Sequence, residues 1–216
     1  MKFLFRSAEP DCLADMKKRY TNWADVTVDD KVIIWLSLDK MQNNYCAFCE
    51  MNLKGMRKHI EHFISRHRNN VLTFEWANLF GSCDNSEHCG RYKDSKISDY
   101  DERNLIKPDE NDPRNSLFFS PEGDINVKLG LSQEEQLKAS ETIRVFGLDA
   151  PNLVAARRTI LRSYAQTAKE HAELIELVFN ENEENMKELI AEIYAEYNKA
   201  ILDQPFSTAL RQLIEF

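Results

Sequence analysis

The sequence predicts an α+β protein that is mostly helical, and three observations carry that expectation. Two cysteine pairs, Cys46-x2-Cys49 and Cys83-x5-Cys89, lie in one stretch from Tyr45 to Asp94. Between Leu117 and Leu129 a short apolar run, a Gly-containing turn and a second apolar run have the pattern of a hairpin. From Ser132 almost to the end, apolar residues recur at helical spacing. The expected organisation is a packing segment over 1–44, a core with its hairpin over 45–131, and a helical region over 132–216.

A chain of 216 residues is long enough to bury a hydrophobic centre, as one domain or as a small core with a helical extension. No apolar run approaches the roughly 20 residues needed to cross a bilayer. The opening MKFLFRSAEPDC is too short and too soon charged for a secretory signal, so a cytoplasmic protein is expected. In that reducing compartment paired cysteines point to a metal rather than to disulfides. Cys12 stands apart from the pairs and reads as a small packing residue.

The net charge of -8 argues against a protein that coats nucleic acid indiscriminately, but the charge is unevenly spread. Lys54, Arg57, Lys58, Arg66 and Arg68 lie with three histidines around one acid, Glu61. Acids gather instead from Glu170 to Glu196. A basic site on an acidic body suggests a local nucleic-acid contact, with Arg57, Lys58, Arg66, Arg68, Arg91 and Lys93 as candidates for phosphate.

In chain order, Glu9-Pro10-Asp11 predicts a turn and the start of a first helix. Lys31 to Lys40, KVIIWLSLDK, fits strand or helix by pattern; helix is preferred, with Asp29 and Asp30 as caps. The core should hold a knuckle at Cys46 to Cys49, an extended piece near His59 to Phe63, an irregular loop and a helix from about Cys89. Residues Ser98 to Asp112 read as a surface loop. LFFS, PEGD and INVKL give the hairpin, and Ser132 to Glu135 is a capping box. Gly147 and Pro151 separate two helices, and Asn152 to about Leu202 supports one long helix or, broken at Asn180 to Asn185, two.

The chemistry is concentrated in the cysteine-bracketed stretch. Cys46, Cys49, Cys83 and Cys89 supply the thiolates of a tetrahedral structural zinc site, with His88 able to replace one of them. Glu61-His62 combines a carboxylate that can hold a divalent ion with an imidazole that can take a proton from water. On a regular strand these neighbours point to opposite faces, so joint action requires the strand to end or bend there.

In this order the residues resemble HNH endonucleases with a ββα-metal fold, in the version bracketed by two cysteine pairs. The resemblance implies Glu61 as ligand of a catalytic metal, His62 as general base, and Asn78 as the residue that fixes the loop or assists the metal and base. Family members usually carry His or Asn after the last cysteine as the final metal ligand, whereas this chain has Gly90. Asp94, one helical turn later, and His88 are the candidates to replace it, and oxygen ligands suit Mg2+ or Mn2+.

The stretches RSAEP, LIKPDENDPRN, LFFSPEGDI and KASETIRVFGLDAPNLVAARR extend the likeness to PtuB-type subunits of Septu and retron-associated antiphage systems. It covers most of the chain up to about Arg158. The resemblance implies an ABC-type ATPase partner (PtuA-like) and, in the retron versions, a reverse transcriptase with its RNA-DNA product. Two other readings compete. His59-Ile60-Glu61 matches the H-x-E of nucleobase deaminases but lacks the downstream Pro-Cys-x-x-Cys. A non-catalytic zinc module that binds nucleic acid or protein is the second, supported by Gly90.

Overall fold

The computed structural model describes residues 1–180 and 185–215, which form seven α-helices, several short 3-10 turns and two small antiparallel sheets. Helix α1, Asp11–Arg19, starts where Glu9-Pro10-Asp11 predicts, carries Lys17, Lys18 and Arg19 in its last turn, and buries Leu13 and Met16. KVIIWLSLDK is helical, inside α2, Val28–Gln42. The helix begins earlier than expected, and its cap is Thr27, whose hydroxyl accepts from Asp30 N at 3.2 Å. Asp29 and Asp30 therefore sit in the first turn rather than at the cap. Asp30 is nearly enclosed, accepting from Tyr20, Arg19 and Thr27 side chains.

Strand β1, Lys58–His62, pairs antiparallel with β2, Leu79–Cys83, in a register that sets Glu61 opposite Phe80 and His62 opposite Leu79. β2 was not anticipated, because LFGSC is buried on both faces and shows no alternation. Helix α3, Cys89–Lys96, starts where the sequence places it and packs on both strands. A cross-strand pair shares one face of a hairpin, and here the two faces serve two different cores. Ile60 and Leu79 join Leu13, Met16, Trp23, Ile34, Leu38, Phe74 and Trp76. Phe63 and Phe80 join Phe48, Phe146 and the four paired cysteines.

At Gly81 α2 lies tight against the hairpin: a Cβ there would lie 2.7 Å from the Trp35 ring. In the larger core Phe48 stacks on Phe146 with ring centroids 4.3 Å apart. That core also draws in Met1, Leu117, Leu153, Tyr197 and Leu210, so the three expected segments share it. Residues Ser98 to Asp112 form the expected loop, but it lies only partly at the surface. Leu105 and Ile106 are buried, and Ile106 N donates to Thr142 Oγ1 at 2.7 Å.

The predicted hairpin forms as β3, Leu117–Phe119, and β4, Ile125–Val127. Helix α4, Gln133–Phe146, begins with the capping box at Ser132 and Glu135 and ends at Gly147 in the left-handed region. Helix α5, Pro151–Asn180, pins this hairpin through buried Arg157, which donates to the carbonyls of Gly123 and Leu148. Helix α6, Met186–Ile201, packs on α5, with the ring centroids of Tyr197 and His171 5.2 Å apart. The break in the helix expected at Asn180 to Asn185 falls mostly on residues 181–184, which lie outside the described residues. Helix α7, Ser207–Arg211, closes on the knuckle, where Thr208 N donates to Glu50 Oε2 at 3.0 Å. No described helix is long and apolar enough to cross a membrane.

Candidate metal centre and the two faces of the hairpin

The four cysteines arrive from three elements: Cys46 and Cys49 from the knuckle after α2, Cys83 from the end of β2, and Cys89 from the first turn of α3. Their sulfurs all lie within 4.8 Å of one another and are buried. Cys46 and Cys89 are 3.7 Å apart and Cys49 and Cys83 3.8 Å apart. A regular tetrahedron with metal–sulfur bonds of about 2.3 Å sets its sulfurs about 3.8 Å apart. The group could therefore hold a metal ion such as zinc, and its thiols suit that soft cation better than oxygen-seeking Mg2+.

Taken alone, the four thiols cannot all ionise. Burial and the neighbouring thiols push Cys89 well above its ordinary value. Donation from the other thiols and His88 outweighs burial at Cys49 and holds it low. A cation held by the four sulfurs would remove this conflict by stabilising the thiolate form of each. Cys83 N donates to Cys46 Sγ at 3.5 Å. His88 does not replace a thiolate: it stands beside the cluster, with Nδ1 3.2 Å from Cys89 Sγ and 3.6 Å from Cys83 Sγ. Those contacts also turn it toward the sulfurs rather than toward Glu61.

Glu61 and His62 are brought to the same sheet but not to the same pocket. β1 stays regular through His62, and Phe63 N still donates to Asn78 O beyond it at 2.9 Å. Alternation therefore sends Glu61 to the α3 face and His62 to the opposite face, which corrects the expectation that both reach one cation. The histidine that meets Glu61 is His59, two residues earlier, with Nε2 3.0 Å from Oε2.

On its own face Glu61 is sealed against α3. The Lys93 ammonium lies 2.9 Å from Glu61 Oε1 and 2.6 Å from Asp94 Oδ1, and donates to the His62 carbonyl at 3.1 Å. The contact with Oε1 is ionic rather than a well-aligned hydrogen bond. Burial alone would raise the Glu61 carboxyl, but Lys93 and His59 outweigh it and hold it low. At Lys93 the same carboxylates overcome burial and raise the ammonium. Burial and the charge of Glu61 push Asp94 up. Lys93 was expected to contact nucleic acid; with no exposed side-chain surface it does not.

A divalent ion at Glu61 does not fit these residues. The ammonium stands among the oxygens that would bind it, and Gly90 brings no ligand. Asn78 is also committed elsewhere: its amide accepts from Ile64 N and donates to the carbonyls of Ile64 and Leu72. These bonds close the loop from Phe63 to Asn78 and fix the orientation of the amide.

His62 packs edge-on against Trp23, with centroids 4.7 Å apart, and its Nε2 is 3.0 Å from the Thr73 carbonyl. A carbonyl can only accept, so Nε2 carries the proton and Nδ1 keeps its lone pair. Nδ1 of His59 and Nε2 of His88 are sealed off without partners, whereas Nδ1 of His62 is not. Burial, against the Thr73 bond and helped by Arg66, lowers His62 to about 4. Trp23 and Thr73 also line an open cleft of about 550 Å³ with Thr21, Asn22, Arg66, His67 and Asn70.

The remaining basic candidates divide by partner. Lys58 is held by Asp39 at 3.1 Å and lies 4.0 Å from the Trp35 ring centroid. Arg57 and Arg91 share Asp84, and Arg68 pairs with Glu102 over Tyr100. Arg66 is exposed at the cleft, with no ion pair among the described residues. The sequence offered no signal for Trp23 or Thr73, since both reach His62 only through tertiary packing. Comparison with protein-family models and with curated proteins found no match.

Proposed function

We propose that the chain is an HNH-type endonuclease subunit that hydrolyses phosphodiester bonds of DNA or RNA in a cytoplasmic antiphage complex. The observation that carries this reading is His62: a neutral imidazole of fixed tautomer beside a cleft rimmed by Arg66 and His67, on a strand–strand–helix unit gathered by four thiols. In this reading zinc on Cys46, Cys49, Cys83 and Cys89 holds the unit together. Arg66 positions a phosphate, and His62 Nδ1 takes a proton from water as that water attacks phosphorus; the departing oxygen is protonated from solvent. No step is assigned to Mg2+ or Mn2+. The partners implied by the resemblance are an ABC-type ATPase and, in a retron setting, a reverse transcriptase with its RNA-DNA product.

A second reading is favoured by one observation. Glu61 is committed to Lys93 and Asn78 to backbone, which suits a zinc module that binds nucleic acid or protein without cutting it. Incubating the purified chain with DNA and total RNA, with and without the ATPase, separates the two. The nuclease reading predicts cleavage that His62→Ala abolishes while zinc content is kept. Cleavage unchanged by His62→Ala retires His62 as the base, and binding without cleavage by the wild type in every mixture selects the zinc module.

A further inference from the structure

We propose that the ammonium of Lys93 is the resident cation of the Glu61 site, and that this chain holds no divalent ion there. The inference rests on the HNH reading above for the meaning of the site, and concerns which cation serves it. Three oxygens surround Nζ: Glu61 Oε1, Asp94 Oδ1 and the His62 carbonyl, at 2.9, 2.6 and 3.1 Å. Two carboxylates and a carbonyl are the hard donors that Mg2+ and Mn2+ select. An ammonium and a divalent ion cannot share them, because the space is single and the charges repel.

Lysine is almost never fully buried unless paired, and Lys93 has no exposed side-chain surface. The Tyr100 ring, 5.8 Å from Nζ, lies over it. Gly90 is part of the same arrangement. A Cβ at this position would lie 2.1 Å from Glu61 Oε2 and 2.4 Å from Glu61 Cδ. The room that a His or Asn ligand would need is filled by the Glu61 carboxylate itself, turned toward Lys93. The glycine and the lysine thus act together: one admits the carboxylate, and the other neutralises it.

The test is Mn2+ binding to the full-length, zinc-loaded chain, read by the paramagnetic resonance of free and bound Mn2+. Wild type should retain no Mn2+ that Glu61→Gln removes. Lys93→Ala should bind Mn2+ about tenfold or more tightly than wild type, because it leaves buried carboxylate charge without its partner. Adding Glu61→Gln should cancel the gain. Wild-type binding abolished by Glu61→Gln would overturn the proposal, as would a Lys93→Ala chain that keeps its zinc and gains nothing. If Lys93→Ala loses zinc, the wild-type and Glu61→Gln pair still decides. Failure of the HNH reading would show instead as absent cleavage in every cation, which leaves this binding result untouched.

Discussion

His62 has its protonation and its tautomer set by its surroundings. Its folded pKa of about 4 lies below the ordinary 6.5, so between these values the unfolded chain binds a proton that the folded chain refuses. Stability from this residue is present above pH 6.5 and is lost as pH falls toward 4, by about 3 kcal/mol at 1.36 kcal/mol per unit. Urea unfolding of wild type and His62→Phe across this range should show that difference, and parallel curves would contradict the placement of His62. Glu61 supplies a second residue-scale prediction. Glu61→Leu strands a buried ammonium and should cost about 3 kcal/mol or more, whereas Glu61→Leu with Lys93→Met should recover most of it. A double variant as unstable as the single one would contradict the pairing. The residue types of the site were legible in the sequence, since thiols, carboxylate and imidazole announce their chemistry. The Glu61 partner was not, because nothing local distinguishes a buried Lys93 from an exposed phosphate contact.

Elements were legible where local chemistry decides them. The capping box at Ser132, the Gly147 stop and the β3–β4 turn all depend on residues a few positions apart. The start of α2 was misplaced because Thr27, Asp29 and Asp30 all favour a helix beginning, and only the bond from Asp30 N to Thr27 chooses among them. Thr27→Ala should therefore cost about 1 kcal/mol. Urea unfolding checks this, and no change would shift the start of the helix toward Asp29. β2 and the buried part of 98–112 escaped reading because their burial comes from distant neighbours, Trp35 and Gln42 in one case and Thr142 in the other. Gly81→Ala should drive a Cβ into the Trp35 ring and destabilise by about 1–3 kcal/mol, with a shift in tryptophan fluorescence. Wild-type stability and emission would mean that α2 does not lie so close.

At the scale of the whole molecule the β1–β2 hairpin is a partition. One face belongs to the core that α1 and α2 close, and the other to the core that holds the four thiols and receives α4 through α7. The thiols lie inside the larger core, so a metal bound there joins the knuckle, β2 and α3 at one point and couples them to the C-terminal helices. Cysteine spacing made the cluster legible, but not the partition, which depends on the strand remaining regular through His62. That four-sulfur centre is the point on which the fold and the proposed function both depend. Metal analysis with zinc-edge X-ray absorption on the purified chain should find one zinc per chain, with four sulfur neighbours at about 2.3 Å, and chelation should lower the unfolding midpoint. Fewer than four sulfurs, or a midpoint that chelation leaves unmoved, would contradict it.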